Sequence, residues 1–279
     1  MKRTLPLVLF LIVAGCNAPP SQIGGKLPEK VYARVISLSP SLTELVALLN
    51  STNLLIGRTA GDERPAYIKQ ITIVANPLPD IEKIVKLQPD LIIVEENLIN
   101  AADMAKLKGL KGIDIEVFNI DSIKQWEESV WKLGNLLQSH TRASDVIDRV
   151  HQAQANATLP KSMYRPKVLV AMSAAPPWVA ATGSYQADVV RAAGGEPVGP
   201  SGDRFFAVNP EDVVKWNPDI AFVSDSVGKF SGPAWGATRA GRDSEVLQVD
   251  PNILLRTGAD LEKLIDAMSK EIRRVGSTR

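Results

Sequence analysis

One stretch of sequence occurs twice and decides the fold: Ile81-Glu-Lys-Ile-Val-Lys-Leu-Gln-Pro-Asp-Leu-Ile-Ile-Val94 and Pro210-Glu-Asp-Val-Val-Lys-Trp-Asn-Pro-Asp-Ile-Ala-Phe-Val223. Six of the fourteen positions are identical: Glu82/Glu211, Val85/Val214, Lys86/Lys215, Pro89/Pro218, Asp90/Asp219 and Val94/Val223. Each copy predicts a short helix that ends at Pro-Asp, because proline lacks the amide N–H and clashes with the preceding turn. The apolar run that follows is typical of a parallel strand covered on both faces.

Another buried strand is predicted before each copy, at Arg34–Leu38 in the first half and at Lys167–Ala171 in the second. Ser39, Pro40 and Glu44 supply a cap, a first-turn proline and a capping-box option for the helix after the first of these strands. Strand, helix and strand therefore alternate in both halves, which predicts two α/β lobes, each with a mainly parallel sheet flanked by helices. A chance likeness between two common junctions is the alternative. The matching order of neighbouring elements favours a duplicated lobe.

The sequence between the two halves predicts helices and no strand. A second connector helix, over about Thr141–Thr158, would extend ~27 Å at 1.5 Å per residue, which is long enough to join two lobes. The predicted organisation is an N-terminal lobe at 31–120, a helical connector at 121–160 and a C-terminal lobe at 161–279. Because a single stiff helix joins the lobes, only a modest closure is expected.

The amino-terminal sequence predicts that the folded part of the chain is localised outside the cytoplasm. The apolar run Leu5–Val13 is too short to span ~30 Å of hydrocarbon, so residues 1–15 are predicted to be a signal peptide. Val13-Ala14-Gly15-Cys16 resembles the lipobox of bacterial lipoproteins, which implies that Cys16 is lipidated and anchors the chain to a membrane. Residues 16–30 then form a tether without an apolar period. An ordinary cleaved signal with a chance cysteine is the alternative.

Composition excludes several functions. The 279 residues carry a formal net charge of +1, which leaves no excess of positive charge for a nucleic-acid backbone. The single cysteine cannot form a disulfide within the chain. Two histidines, His140 and His151, are too few for a histidine-based metal site. Thr182-Gly183-Ser184-Tyr185 does not form a Gly-x-Ser-x-Gly elbow, and no phosphate-binding Gly-x-x-x-x-Gly-Lys sequence occurs. The chain is therefore not expected to be an enzyme.

The order of these segments resembles one family of proteins. The segments that carry the resemblance are Arg34–Leu45, Ile81–Val94, Ala175–Trp178, Ala193–Val198 and Pro210–Val223. They are similar to the two-lobed substrate-binding proteins of ABC transporters, and within these to the vitamin B12-binding branch, whose relatives carry siderophores and haem. The resemblance covers roughly residues 31 to 275. It implies a class III fold of two lobes joined by a helix, a monomer that binds a corrinoid-like ligand between them, and no cofactor.

The resemblance also implies which residues contact the ligand. Trp178 and Phe205 match aromatic positions of the cleft, where each ring can cover ~150–250 Å² of a flat ligand. Core packing is the competing interpretation, and it is preferred for Phe206 and Trp216. In a cleft between lobes, loops at the strand ends supply the remaining contacts.

Arg64 and Asn76 depart from the vitamin B12-binding pattern, since they stand where those relatives carry tyrosine and tryptophan. These departures leave room for an anionic ligand that Arg58, Arg64 or Arg256 would contact, although a surface arginine without a ligand role is equally compatible. Haem or an iron–siderophore is the alternative ligand. For such a ligand, Tyr67 or Tyr185 would act as an axial or polar contact.

Glu82 and Glu211 occupy the first turns of the two equivalent helices, where a carboxylate complements the helix dipole by ~0.3–1 kcal/mol. The family uses two such glutamates, one per lobe, to dock on arginines of a two-fold symmetric permease dimer that works with an ATPase. The resemblance therefore implies that Glu82 and Glu211 are permease-docking residues. From another class of function, a tethered lipoprotein scaffold without a small ligand is also compatible with the sequence.

Overall fold

The computed structural model describes residues 30–224 and 232–279. The predicted signal peptide, Cys16 and the predicted tether up to residue 29 lie outside the described residues. No helix in the two described ranges has the length and apolar character needed to cross a bilayer.

The N-terminal lobe is a sheet of five parallel strands in the order β3-β2-β1-β4-β5 with helices beside it. Its elements are β1 (Val35–Ser37), α1 (Pro40–Leu48), β2 (Leu55–Thr59), β3 (Thr72–Ala75), α2 (Ile81–Leu87), β4 (Leu91–Glu95), α3 (Ala101–Lys108) and β5 (Asp114–Phe118), with 3-10 turns at Thr52–Leu54, Ala66–Gln70 and Glu96–Leu98. Ser39 caps α1 by accepting from the backbone N–H of Leu42, and Pro40 begins the helix, as predicted.

Two helices, α4 (Ile123–Leu136) and α5 (His140–Ala157), follow the first sheet. The start of α5 contacts the N-terminal lobe, since Arg142 Nε donates to the carbonyl of Leu48 at 3.0 Å. Its end lies against the C-terminal lobe, where a Cβ on Gly194 would approach the carbonyl oxygen of Ala157 to 3.0 Å. The helix predicted near residues 141–158 therefore joins the two lobes.

The C-terminal lobe is a mixed sheet in the order β11-β10-β6-β7-β9, in which β8 also pairs with β6. Its elements are β6 (Lys167–Ala174), β7 (Pro177–Ala180), α6 (Tyr185–Ala192), β8 (Glu196–Pro197), β9 (Phe205–Ala207), α7 (Pro210–Trp216), β10 (Ile220–Val223), α8 (Pro233–Ala237), α9 (Arg239–Arg242), β11 (Val246–Gln248), α10 (Pro251–Leu254) and α11 (Leu261–Gly276). Only β7 runs antiparallel to its neighbours. The predicted class, two α/β lobes with mainly parallel sheets, is confirmed.

The repeated sequence gives the same local structure in both lobes. The helices α2 and α7 end at Gln88 and Asn217, which adopt left-handed conformations with φ of 48° and 45°. In the Pro-Asp pair that follows, Asp90 accepts from the backbone N–H of Arg34 at 3.0 Å, and Asp219 accepts from that of Lys167 at 2.8 Å. Each aspartate thereby fixes the beginning of the central strand of its sheet, because a carboxylate that accepts backbone N–H bonds is held firmly.

The main apolar core extends through both lobes. One cluster of buried residues includes Val35 of β1, Trp126 of α4, Val146 of α5, Val168 of β6 and Ile265 of α11. Helix α11 packs on α5, which also packs on α4. The lobes are therefore held by a shared core of helices as well as by the connecting helix.

Candidate functional site

A pocket of about 400 Å³ lies between the two lobes. Its lining comes from the loops after β4 and β5 of the N-terminal lobe and from the loop before β9 of the C-terminal lobe. The lining residues are Glu96, Asn97, Asn119, Asp121, Asp203 and Arg204. In open α/β sheets, ligands bind beyond the carboxyl ends of the parallel strands, and the part of the lining that the N-terminal lobe contributes has this position.

The interlobe pocket is acidic. Among the described residues, three carboxylates and one guanidinium line it, which gives them a formal charge of −2. The one cation of this described lining, Arg204, donates from Nε to Asp203 at 3.2 Å. Within residues 30–224 and 232–279, no lysine or arginine forms an ion pair with Glu96 or Asp121. The pocket thus offers carboxylate and amide oxygens to a guest, and its one positive charge is already paired.

Beside the pocket, Glu95 ends β4 and is buried, with 6% of the residue exposed. Its carboxylate accepts from Ser39 Oγ at 2.7 Å and from Thr257 Oγ1 of the C-terminal lobe at 3.1 Å. Burial raises the pKa of Glu95, and the two hydroxyl donors only partly oppose that rise. In the described part of the chain, no cation pairs with this carboxylate.

Glu44 of α1 makes a second link between the lobes. It is 3% exposed, and its carboxylate accepts from Arg256 Nη1 at 2.8 Å and from the backbone N–H of Ala259 at 3.4 Å. A Cβ on Gly258 would lie 2.3 Å from Glu44 Oε2, so only glycine permits this approach. The prediction that Glu44 completes a capping box is wrong, because its partners lie more than 200 residues away in the C-terminal lobe.

A third link joins Arg64 of the N-terminal lobe to Asp260, whose side chain is 5% exposed. Lys263 Nζ also donates to Asp260, at 2.7 Å. Although burial alone would raise the pKa of Asp260, hydrogen bonds from Lys263 and Arg64 hold it below its ordinary value. We refer to the links made by Glu44, Glu95 and Asp260 with Arg256, Thr257 and Arg64 as the interlobe clasp.

The structure places the predicted cationic contacts away from the interlobe pocket. Arg58 is buried and donates to the backbone carbonyls of Thr59, Asp62 and Lys69, so it holds a loop of its own lobe together. Arg64 and Arg256 belong to the clasp, where acidic partners already match their charges. Because all three arginines already have partners within the protein, their positions argue against an anionic ligand bound by them in the interlobe pocket.

The aromatic side chains differ from expectation. Trp178 is 42% exposed at the start of β7, near the carboxyl ends of the parallel strands, but it does not line the interlobe pocket. Phe205 pairs with Ala180 and packs on the main core, whereas Phe206 is 37% exposed over Gly202. The sequence predicted Phe205 in the cleft and Phe206 in the core, but Phe206 is the more exposed of the two side chains. Neighbouring residues of a strand point to opposite faces of the sheet, so only one of the two can pack on the core.

The other predicted residues are found in three settings. Tyr185 is 4% exposed inside the main core, where burial raises the pKa of its hydroxyl, so it is not accessible to a ligand. Trp216 is partly buried against a smaller apolar cluster of the C-terminal lobe, which agrees with the interpretation that it is a core residue. Asn76 is exposed directly after β3, at the same edge of the sheet as the loops that line the pocket.

Glu82 and Glu211 are exposed in the first turns of α2 and α7. Helix α2 follows β3, and α7 follows β9, which runs in the same direction as β6. Both helices therefore begin at the carboxyl edge of the sheet in their lobe, and each lobe presents one glutamate at equivalent positions. Asn209 occupies the cap position of α7 but makes no side-chain capping bond.

Sequence reasoning missed the acidic residues of the site. Glu95 and Glu96 come directly after the buried strand of the first repeat, and Asp121 follows the next strand. The carboxyl ends of neighbouring parallel strands lie at the same edge of a sheet. The positions of these acidic residues after two such strands could therefore have predicted that they lie close together. The described residues contain no group of three or more His, Cys, Asp or Glu side chains that could hold a metal ion.

Two lobes, a pocket lined by both and a helix that joins them define the chain as a two-lobed solute-binding protein. It belongs to the periplasmic binding protein family, whose sequence profile matches residues 35–252. The family places the folded chain outside the cytoplasm, and its members are binding proteins, not enzymes.

Individual relatives agree with this assignment. The chain is 21% identical to the uncharacterized ABC transporter substrate-binding lipoprotein YvrC of Bacillus subtilis, over 95% of this chain and 94% of the relative. It is 25% identical to the high-affinity heme uptake system protein IsdE of Staphylococcus aureus, over 78% and 74% of the two chains. The fold matches the periplasmic vitamin B12 binding protein BtuF of Vibrio cholerae with a TM-score of 0.76 at 21% identity, covering 88% and 98% of the chains.

Glu95→Gln should change how stability depends on pH. Because the folded state raises the pKa of Glu95 above its ordinary value of 4.5, it binds this proton more tightly than the unfolded state does. The free energy of unfolding of the wild type therefore falls as pH rises from 4.5 through the folded pKa. Glutamine does not titrate, so the variant should gain stability relative to the wild type across that window, as measured by urea unfolding at several pH values.

The exposed neighbour supplies the control for this prediction. Glu96→Gln should follow the wild-type profile above pH 4.5, since Glu96 is exposed. A Glu95→Gln curve that runs parallel to the wild-type curve would show that the buried carboxyl does not oppose folding.

Proposed function

We propose that this chain is the substrate-binding lipoprotein of an ABC importer, which captures a corrinoid-like ligand between its lobes and delivers it to a permease. The observation that carries this proposal is the interlobe pocket, because loops from both lobes build it and those of the N-terminal lobe follow the carboxyl ends of β4 and β5. Its size falls within the ~300–1,000 Å³ of small-molecule sites. The chain acts as a monomer, is tethered through Cys16, and needs no cofactor and no nucleic acid.

The charge of the pocket supports a corrinoid over haem. The rim of a corrinoid carries carboxamide groups, whose N–H groups can donate to Glu96 and Asp121 and whose oxygens can accept from Asn97 and Asn119. Haem carries two propionates, which would meet three carboxylates and one arginine among the described lining residues, a formal charge of −2. Like charges brought together across a desolvated site oppose binding. An uncharged or cationic ligand rich in amides fits this lining best.

Trp178 supports a flat ligand that extends beyond the pocket. It is an exposed indole at the carboxyl edge of the C-terminal lobe, fixed by pairing with Ser173 of β6. An exposed ring held by a strand loses little conformational entropy when a planar group stacks on it. Exposed tryptophan at this edge is thus suited to contact the face of a macrocycle.

Haem or an iron–siderophore is the second candidate, because IsdE, at 25% identity, is a heme uptake protein. Of the two tyrosines considered for it, Tyr185 is buried and Tyr67 is 55% exposed. Tyr67 is therefore the only one of the pair that can reach a ligand, and it lines a different cavity from the interlobe pocket.

Absorption titrations with cyanocobalamin, cobinamide and haemin should rank the ligands. We expect saturable binding of the corrinoids and weaker binding of haemin, and Trp178→Ala should weaken corrinoid binding about tenfold, equal to ~1.4 kcal/mol. Tyr67→Ala is the matched aromatic control and should leave corrinoid affinity unchanged. Tight haemin binding that Tyr67→Ala abolishes would establish the second candidate, and a chain that binds none of these ligands would favour a scaffold role.

The docking assignment is tested by charge reversal. Glu82→Lys and Glu211→Lys should each reduce ligand uptake by cells several-fold, because each removes one of two equivalent acidic contacts with a permease dimer, while ligand affinity of the purified protein stays the same. Glu128→Lys on α4 reverses another exposed acid and should not affect uptake. Normal uptake by the double variant Glu82→Lys/Glu211→Lys would reject permease docking through these residues.

A further inference from the structure

A second cavity, of about 280 Å³, is lined in part by clasp residues, and we refer to it as the flank cavity. The N-terminal lobe contributes Glu44, Arg64 and Tyr67, the connector contributes Arg142 of α5, and the C-terminal lobe contributes Asp260 and Lys263. This flank cavity shares no lining residue with the interlobe pocket. All three parts of the molecule therefore meet around it.

The charges around the flank cavity are opposite to those of the interlobe pocket. Three cations, Arg64, Arg142 and Lys263, face two carboxylates, Glu44 and Asp260. Both carboxylates are already engaged: Arg256 and the backbone N–H of Ala259 bind Glu44, and Arg64 and Lys263 share Asp260. The lining therefore has donors in excess of acceptors.

Two guanidinium groups have unused hydrogen-bonding capacity. Arg64 Nη1 is buried and has no hydrogen-bond partner among the described residues. A buried donor without a hydrogen bond lowers the stability of the folded state. Arg142 uses Nε to hold the carbonyl of Leu48, and the described chain provides no acceptor for the rest of its fork. Lys263 is exposed, with a contact only to Asp260.

We propose that the flank cavity binds a small oxyanion, such as phosphate or a simple carboxylate. Two oxygens of such an anion match the fork of Arg142, and Lys263 and the exposed hydroxyl of Tyr67 can supply further donors. A modest turn of the Arg64 guanidinium would give its unpaired Nη1 a partner. The cavity is smaller than the interlobe pocket, so it suits an anion of a few atoms and not a macrocycle.

An anion bound here would strengthen the contact between the lobes, since its partners come from α5, α11 and the loop after β2. The site is independent of the proposed ligand in the interlobe pocket. Anion binding should therefore be observed whether or not the chain binds a corrinoid.

Calorimetric titration of the full chain with sodium phosphate and with sodium acetate, against sodium chloride at matched ionic strength, tests the proposal. We expect saturable binding of at least one oxyanion at one site, a higher thermal midpoint in its presence, and no saturable binding of chloride. Arg142→Gln and Lys263→Gln should each weaken oxyanion binding about tenfold, as expected when a charged hydrogen bond is lost.

Lys270→Gln is the matched control, because Lys270 is exposed on the same helix as Lys263, two turns further on, and does not line the cavity. It should leave oxyanion affinity within about twofold of the wild type. Arg142→Lys, which keeps the charge but loses the fork, should lie between the wild type and Arg142→Gln. Equal responses to chloride and oxyanions, or equal losses in Lys263→Gln and Lys270→Gln, would overturn the proposal.

Discussion

The arrangement of the two lobes depends on a carboxylate that is buried between them. Glu44 is almost fully enclosed, and its partners, Arg256 and the backbone N–H of Ala259, belong to the other lobe. A buried carboxylate that loses its partner costs ~3–5 kcal/mol, whereas an exposed ion pair contributes at most ~1 kcal/mol. Separation of the lobes at this point would break these bonds, whereas removal of Arg256 alone would leave the Glu44 carboxylate enclosed without its charged partner.

The clasp also determines what the cleft can bind. An acidic pocket begins at Glu96, next to Glu95 of the clasp, and a separate cavity with more cations than carboxylates is lined by Glu44, Arg64 and Asp260. The arginines that sequence alone offered to an anionic cargo, Arg64 and Arg256, are used to hold the lobes together. Under the proposed function, ligand recognition would rest on carboxylates, amides and exposed aromatic rings, while Arg64 and Arg256 lie outside the lining of the interlobe pocket.

The sequence predicted the architecture because its signals are local. The helix, the Pro-Asp pair and the buried strand recur within fourteen residues, and the same left-handed helix end and the same strand-anchoring aspartate appear in both lobes. Hydrophobic periodicity likewise located the connector helix to within one residue at each end. These features need no information about distant parts of the chain.

The site was predicted less well because its contacts join distant parts of the sequence. Glu44 meets Arg256, and Arg64 meets Asp260, only after the C-terminal segment packs against the first lobe. Residue type alone cannot show that an arginine is already paired, and the bonds of Arg58 to carbonyls in its own loop become visible only in the structure. The exposure of Phe206 over Phe205 follows from strand alternation, a local signal that was available.

A double-mutant cycle on Glu44 and Arg256 tests the central claim most directly. The free energies of unfolding of the wild type, Glu44→Gln, Arg256→Met and the double variant would be measured in urea. Because Glu44 is buried and the pair joins the lobes, we expect a coupling energy of about 1.5–3 kcal/mol, with the double variant much closer to the wild type than the sum of the single changes predicts. Additive losses, with a coupling energy within ~0.5 kcal/mol of zero, would contradict the account.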